Sequence, residues 1–539
     1  MQFTRRRGQK TCKNDRQTPG KSEDARLRST HRFWHALWVL GALCAPVSTL
    51  PAQPAPAQAQ TSDVYELLER GRQALVAEKY LEASRLLDQA LAKPEFRQLE
   101  PGHQYFGFLL AAFAADGKDD HLGAHEFLVV ATQFPDADGD IWLRRAQLAA
   151  VIDNWSDAAL ALVAIARRWP KTLAQDDHRV SLVMGAAREL GKAAGSRTQR
   201  LELLNALFDS GYTLAYDNEP SYLWLDLAAD ALDRKDIKRA RTIAGHINSS
   251  SVLVAMRIDK RFDVLAAENP KLFDVRAAAE RDARRMHKVM GDNPKALDAV
   301  VEYGYALYTL GRFDELLALA DGVIAKVEKA PTESPPYEDL DDQLNWIYNH
   351  RASALRAQNK LDEAAAVLAN WDHSEHNRDD KVSQAINLGF FYNEMGKPEA
   401  ALKAVDGLDW TRGMSAYGRT QFQFVRFQAY RQLGRTNEMQ DVITWMREHQ
   451  GDARDTAQST LLESGDVEGA AALLISRLRD ADERAAALAE IQIYEQTVRT
   501  ERQKELDALQ EKLLARPDVV TAVAQYGRRD KFPIYSLEY

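Results

Sequence analysis

Cysteine is almost absent from this chain of 539 residues, which contains only Cys12 and Cys44. Both lie ahead of the point where an N-terminal targeting segment is expected to end, so the mature chain would carry no thiol. Disulfides, zinc–thiolate sites and cysteine nucleophiles are thereby excluded from the mature protein. The absence also suits an oxidising compartment, where an unpaired thiol is a liability.

Glycine and proline are also sparse, with 28 and 18 residues, while hydrophobic residues make up 45% of the chain. Alanine is abundant. This composition favours helices over β-sheet. Because the length exceeds that of one ordinary domain, either several domains or an elongated repeat array is expected.

Basic charge is scarce after the first 59 residues. Those residues hold ten of the 70 Lys and Arg but only three of the 79 Asp and Glu, which leaves 60 basic and 76 acidic residues and a net charge of −16 in the remainder. A body this acidic argues against general nucleic-acid binding, because that activity depends on a basic surface.

The N-terminal segment contains the apolar run FWHALWVLGALCAPVSTL, which follows Arg26, Arg28 and Arg32. The stretch PAQPAPAQAQ comes next and offers small residues at the spacing of a cleavage site. A basic region, an apolar core and a small-residue site together indicate a secretory signal peptide. Cleavage is expected between Ala52 and Gln60, which would place the mature chain in the bacterial periplasm.

An uncleaved anchor in the inner membrane, facing the periplasm, is the alternative. The apolar run is near the lower length limit for a membrane span. Pro46 and the Pro/Ala/Gln stretch, taken as helix-breaking, argue against an anchor. Both interpretations place residues from Tyr65 onward outside the cytoplasm, and the true translation start stays open because the basic region is long.

Two stretches of the chain share a pattern of small residues. INLGFFYNEMGKPEAALKAVDGL places Gly389 before a turn and Ala401 after it, and DIWLRRAQLAAVIDNWSDAALALVAIARRWP places Ala146 and Ala158 at the same offsets. Two antiparallel helices approach closely only where small residues leave room and larger neighbours fill the groove. One such pair cannot bury its apolar face alone, so stacked copies are expected.

Both stretches match the spacing of the tetratricopeptide repeat signature, either its Trp, small, Ala and Pro positions or its small, aromatic, turn and Ala positions. The matching residues are Trp142, Ala146, Ala158, Pro170, Gly389, Tyr392, Gly396 and Ala401. The chain therefore resembles the tetratricopeptide repeat family, as a divergent exported bacterial member. This resemblance implies an all-α fold, a right-handed superhelical solenoid of antiparallel helix pairs.

The repeats are unevenly spaced along the chain. Turns between paired helices are predicted at Glu78, Gly117, Asp153, Lys235, Gly311, Asn359, Gly396, Gly434 and Gly465. Their intervals run from 31 residues, Gly434 to Gly465, to 82 residues, Asp153 to Lys235, where the family repeats every ~34 residues. Long connections between some repeats are therefore expected.

This spacing predicts five segments. They are a signal peptide and linker over residues 1–59, N-terminal repeats over 60–172, degenerate helical repeats over 173–290, C-terminal repeats over 291–478, and a capping helix and tail over 479–539. The capping segment is predicted to be one long charged helix, because it is rich in Glu, Lys and Arg at helical spacing.

The resemblance also implies a binding surface, because ligands of the family lie against first-helix side chains that face the inner groove. Those positions hold Tyr305, Tyr308, Trp346, Asn349, Arg356, Phe390, Asn393, Phe424, Gln428 and Arg431. Aromatic rings mixed with amides and guanidinium groups suit an extended peptide or a glycan. The alternative, that several of these rings pack between repeats, stays open.

Two clusters are candidates for chemistry. In WDHSEHNRDD, His373 and His376 flank Glu375 and could hold a divalent metal ion, but no third ligand is specified, and a solvated loop is the favoured interpretation. Glu463 lies in Glu-Ser-Gly, which resembles the Glu-Ser of lytic transglycosylases but lacks the segment that follows it in those enzymes. No catalytic, metal or cofactor site is therefore predicted.

The predicted function is that of a non-catalytic periplasmic scaffold or adaptor that mediates protein–protein interaction. A narrower hypothesis places it in cell-envelope assembly or exopolysaccharide secretion, with a protein or peptide of the envelope polysaccharide machinery as partner. Neither nucleic-acid binding nor a membrane span after signal cleavage is predicted. The alternative is a periplasmic enzyme or metal-binding protein with a helical superhelix.

Overall fold

The computed structural model describes residues 56–173, 177–193, 195–214, 219–331, 334–369, 378–408 and 414–536. The chain divides into two compact units, of which the first ends at Ser210 and the second begins at Gly211. The predicted apolar signal run lies outside the described residues. Within them, no helix has the length and apolar character needed to cross a membrane.

The N-terminal unit consists of helices that pack in consecutive antiparallel pairs. In chain order they are α1 (Pro56–Val76), α2 (Tyr80–Ala92), α3 (Pro101–Gly117), α4 (His121–Ala131), α5 (Gly139–Val151), α6 (Trp155–Arg168), α7 (Asp177–Lys192) and α8 (Arg197–Asp209). Short 3-10 turns at Pro94–Gln98 and Pro170–Leu173 connect pairs.

The C-terminal unit continues with further helix pairs and ends in a mixed segment. Its helices are α9 (Ser221–Asp233), α10 (Ile237–Ala244), α11 (Ser250–Ile258), α12 (Asp263–Glu268), α13 (Val275–Asp292), α14 (Leu297–Thr309), α15 (Phe313–Lys329), α16 (Leu340–Ala357), α17 (Leu361–Ala369), α18 (Arg378–Glu394), α19 (Pro398–Val405), α20 (Ala416–Leu433), α21 (Thr436–Glu448), α22 (Arg454–Ser464), α23 (Val467–Arg479), α24 (Arg484–Glu490), α25 (Glu501–Leu514) and α26 (Pro517–Tyr526). The strands are β1 (Ile493–Glu495) and β2 (Lys531–Tyr535).

The turns inside the helix pairs form where the sequence predicts them, with one exception. Every predicted turn residue except Gly117 has a positive φ, and in the α3–α4 turn Asp119 takes that conformation instead, at 63°. The next backbone N–H then reaches a carbonyl five residues back, as from Lys397 to Tyr392 at 2.8 Å. This bond satisfies an orphan carbonyl at the end of the first helix.

Small residues lie at the close contacts between helices, both within a pair and between successive repeats. A Cβ added to Gly389 would lie 2.7 Å from a methyl group of Val425 and 3.3 Å from one of Val405. Ala146 and Ala158 are completely buried. The predicted all-α solenoid of antiparallel helix pairs is therefore confirmed.

One predicted feature differs from the structure near the N-terminus. The Pro/Ala/Gln stretch is not helix-breaking throughout, because α1 begins at Pro56, and a proline is compatible with the first turn of a helix. The division between the two units, at Ser210 and Gly211, falls inside the segment 173–290 assigned to degenerate repeats.

The capping segment is not one long charged helix. After α24 the chain forms β1, which pairs in parallel with β2 through Ile493 opposite Lys531 and Tyr494 opposite Phe532. A β-favouring run interrupts the helix here. Thr500 then starts α25 with a capping box that it shares with Gln503, and such a box is a strong helix start.

The end of the chain returns to earlier helices of the C-terminal unit, between α11 and α15. The ring of Tyr535 packs edge-on against that of Phe313, with centroids 5.0 Å apart. The backbone N–H of Arg528 donates to the carbonyl of Ile258 at 3.0 Å. Phe532 is completely buried beside these contacts. The C-terminal unit is therefore joined at its two ends, unlike an open array.

Candidate binding groove

The predicted groove residues lie at equivalent positions on the first helices of successive repeats, α14, α16, α18 and α20. Tyr308, Arg356, Asn393 and Arg431 each come three residues before the turn residue of their repeat. Tyr305, Phe390 and Gln428 each come six residues before it. Because the first helices stack side by side, equivalent positions fall in line along one wall.

The aromatic members of this set pack mostly into the wall. Phe424 is completely buried, with its ring 5.9 Å from that of Phe390 and stacked on that of Phe427. Tyr305 and Tyr308 are also buried.

The expectation that these rings line the groove is therefore wrong for Phe424, Tyr305 and Tyr308, because neighbouring helices already cover them. Trp346 and Phe390 are half-buried, and partner contact through these two rings stays a prediction.

The amide members connect neighbouring first helices. Asn393 on α18 is buried and donates to the carbonyl of Val425 on α20 at 2.9 Å. Gln428 on α20 donates to Oε1 of Glu463 on α22, also at 2.9 Å. Asn349 on α16 is buried as well. Asn393 and Gln428 therefore link successive repeats by satisfying buried polar groups between them.

The arginine members pair with carboxylates inside the groove. Nε of Arg356 lies 2.9 Å from Oε1 of Glu394, and both side chains are largely buried. Arg431 donates to Oε1 of Glu505 at 2.5 Å. Glu505 belongs to α25, so a helix from the end of the chain lies against the predicted groove.

Helix α25 contacts three successive first helices through polar side chains. Gln503 donates to Oε1 of Glu394 on α18 at 2.7 Å. Arg502 forms an ion pair with Glu463 on α22, and both of these side chains are almost completely buried. With Arg431 and Glu505, these pairs form a set that we call the groove–helix contacts.

Two carboxylates in the groove–helix contacts have pKa values that shift in opposite directions. Burial raises the pKa of Glu463, although the charge of Arg502 and the hydrogen bond from Gln428 act against this. Burial also raises the pKa of Glu505, but hydrogen bonds from Arg431 and Arg502 outweigh it, and the net shift is downward. At both carboxylates, therefore, the arginines lower the pKa against the effect of burial.

Sequence reasoning missed Glu394, Arg502, Gln503 and Glu505 as parts of the groove. The Thr-x-x-Gln start of α25 was readable as a capping box, but the groove pairs join residues 39 to 109 positions apart. A charge at such a distance has many candidate partners, so the sequence contains no signal that selects one.

The geometry does not favour the catalytic alternative at Glu463. A general acid must reach the atom that it protonates, whereas Glu463 is buried and its two oxygens accept from Arg502 and Gln428. His373 and His376 lie outside the described residues. Within the described part of the chain, no group of three or more His, Asp or Glu side chains is arranged to hold a metal ion.

No protein-family model matches the chain, and no curated protein matches it. Similar solved structures include yeast Tom70, at 13% identity with 86% of this chain and 99% of that chain covered and a TM-score of 0.27. The APC/C hetero-tetramer Cut9-Hcn1 is similar at 12% identity, with 88% of this chain and 86% of that chain covered and a TM-score of 0.27. The P58(IPK) TPR domain is similar at 15% identity, with 77% of this chain and 99% of that chain covered and a TM-score of 0.18.

Because these identities and TM-scores are so low, the similarities add no argument about what this chain binds. The assignment to helix-pair repeats rests on the turns and packing described above.

Proposed function

We propose that the mature chain is a non-catalytic periplasmic scaffold that binds a protein partner through the groove of its C-terminal unit. The observation that supports this proposal is the position of α25 in the groove. Three successive first helices bind α25 there through paired charges and amides. A wall that holds one helix in this way has the shape and chemistry for helix-in-groove recognition.

Two half-buried rings on the first helices supply the apolar part of the proposed surface. Phe390 lies one helical turn before Glu394 on α18, and Trp346 lies on α16, the helix that contributes Arg356. Aromatic and arginine side chains account for a large share of binding energy where they become desolvated, each with roughly 2 kcal/mol or more. We therefore assign Trp346 and Phe390 as anchors for the partner.

The proposed setting is the bacterial envelope, in its assembly or in polysaccharide secretion. Its support is the signal-like segment and the scarcity of cysteine in the chain. Intact-mass measurement of the exported protein should give a chain that begins between Ala52 and Gln60. Retention of the apolar run in the exported protein would support the anchor instead.

The scaffold role is tested by affinity capture from envelope extracts with the mature chain as bait. The double variant Trp346→Ala/Phe390→Ala should lose the captured partner while it keeps its helical circular dichroism. Tyr222→Ala is the matched control, because this ring is 65% exposed in the same unit and lies outside the groove positions. Equal capture by the double variant and the control would contradict the proposal.

A further inference from the structure

Helix α25 is held in the groove by polar contacts and by few apolar ones. Its buried residues are Gln503 near its start and Leu513 and Leu514 at its end. The two leucines lie beside α26, whose Val519 is completely buried. Near its start, therefore, the helix depends on hydrogen bonds and ion pairs, while its end and the following segment are fixed by apolar packing.

In these polar contacts, each side chain of α25 faces a groove side chain of complementary charge or hydrogen-bonding type. A guanidinium at 502 meets a carboxylate, an amide at 503 meets a carboxylate, and a carboxylate at 505 meets a guanidinium. Ion pairs that break even against solvation contribute to specificity through such matching. A surface with this pattern distinguishes helices by where they carry charge.

The connection before α25 permits it to leave while its neighbours stay in place. Residues 496–500 have no regular structure between β1 and α25, and Val498 is 61% exposed among them. The preceding strand is held by its pairing with β2. Release of the start of α25 therefore requires the loss of the groove–helix contacts, while the pair of Glu511 with Arg529 lies further along the helix.

We infer that α25 is an internal ligand of the groove, and that the partner is a helix with an arginine, an amide and a carboxylate at the spacing of residues 502, 503 and 505. The partner helix takes the place of α25 on Glu463, Glu394 and Arg431. This inference rests on the proposed scaffold function. It specifies the chemistry of the scaffold's partner helix and names α25 as the segment that competes with that partner. The groove of the resting chain is thus closed to helices that lack the pattern.

The test uses a fluorescent synthetic peptide of residues 497–516 as the probe and the full mature chain as the receptor. In the wild-type chain, α25 competes at the high effective concentration of a tethered segment. The triple variant Arg502→Ala/Gln503→Ala/Glu505→Ala removes the groove contacts of α25 but leaves the groove intact. Fluorescence anisotropy should show the peptide binding this variant at least about tenfold more tightly than wild type.

The matched control is Glu501→Ala/Lys504→Ala, which removes the same two charge types from an exposed pair on α25. It should bind the peptide as weakly as wild type. A peptide with alanine replacing Arg502, Gln503 and Glu505 should bind none of the chains. Hydrogen exchange over residues 501–514 should be faster in the triple variant only.

Equal peptide binding by a folded triple variant and wild type would overturn the inference, as would unchanged exchange over residues 501–514. Should the triple variant lose its cooperative unfolding, Gln503→Ala alone replaces it, with an expected gain of about two- to tenfold in peptide affinity. No gain in that folded single variant would also overturn the inference.

Failure of the scaffold proposal has a different signature. Peptide binding by the triple variant, with no envelope protein captured by any form of the chain, would leave the internal ligand established and the scaffold role rejected. Equal capture of one groove-dependent partner by wild type and triple variant would support the scaffold and reject α25 as its competitor.

Discussion

The two units are built from the same helix pairs but differ in what lies against their first helices. In the N-terminal unit, first-helix charges pair with nearby residues of the wall, as Asp116 does with Arg144. In the C-terminal unit, the equivalent position Arg431 pairs with Glu505, from a helix that follows the last repeat. In the C-terminal unit, therefore, the groove is filled by the segment after the array and not by the repeats themselves.

The range of the contacts differs in the same way. Within the N-terminal unit, Gln199 donates to the carbonyl of Ser156, 43 residues away. Within the C-terminal unit, Arg257 donates to Asp530, 273 residues away. A stack with contacts between neighbours loses structure locally, whereas a unit joined at its ends is expected to unfold more cooperatively.

The largest expected effect is on the joint between the last repeat and the returning segment. Arg477 is almost completely buried and lies 2.6 Å from Glu490 on α24 and 3.1 Å from Glu483. Arg477→Ala leaves these carboxylates without their cation. The free energy of unfolding of the C-terminal unit should therefore fall by about 3–5 kcal/mol. Calorimetry should show that transition shifted, with an unchanged transition for exposed Arg479→Ala; equal shifts would contradict the account.

A matched pair of glycine substitutions probes the difference in cooperativity. A Cβ at Gly389 would lie 2.7 Å from Val425, and one at Gly71 would lie equally close to Leu87. Leucine at either site should cost on the order of 1–3 kcal/mol or more by overpacking.

Hydrogen exchange should show the effect of Gly71→Leu confined to α1–α4, and that of Gly389→Leu spread through the C-terminal unit to α25. Confinement of both effects to their own repeats would mean that the joined ends do not couple the C-terminal unit.

A pH-dependent effect is expected at a polar link in the N-terminal unit. Burial raises the pKa of Asp157, but hydrogen bonds from Arg145 and His125 outweigh this and lower it. Because its folded pKa is depressed, the stabilisation is present above the unfolded pKa of about 3.9 and is lost as the pH falls through the folded value.

Asp157→Asn should therefore cost about 1–3 kcal/mol at pH 7 and progressively less below about pH 4. Chemical denaturation across this pH range measures the difference, with exposed Asp140→Asn as the control. A cost that is constant with pH would contradict the assigned ion pairing.

The smallest effect is expected at an exposed link between repeats. Lys397 lies 2.7 Å from Asp362, but the lysine side chain is 47% exposed and the aspartate 86% exposed. Lys397→Ala should change the free energy of unfolding by less than about 1 kcal/mol. A larger loss, measured by urea denaturation, would show that surface pairs contribute to the stacking of repeats.

The sequence was sufficient for the repeats because their signals are local. A turn residue such as Gly396 and a notch such as Gly389 lie within one helix pair, so a short stretch determines both. The slip from Gly117 to Asp119 has a local cause too, since an aspartate also tolerates the left-handed conformation. Local patterns therefore predict the fold, but they do not always identify which residue of a turn has the positive φ.

The groove could be predicted only in part. The predicted positions repeat at the same distance before each turn, but Asn393 and Gln428 resemble surface residues in type while they are buried and paired across repeats. The partner of Arg431 comes from α25, and nothing in the spacing of the repeats indicates that this helix returns. Tertiary pairing of distant polar groups is the part that local patterns do not encode.

The most direct test of the central claim is a cross-link between the groove and α25. The chain from Gln60 onward has no cysteine, so Glu394→Cys/Gln503→Cys introduces the only two thiols, at side chains whose polar atoms lie 2.7 Å apart in the native chain. A short bismaleimide should join α18 to α25 within one molecule, seen by mass spectrometry of the digest, and Glu394→Cys/Lys504→Cys should react less. Equal or absent cross-linking in both variants would contradict the occupied groove.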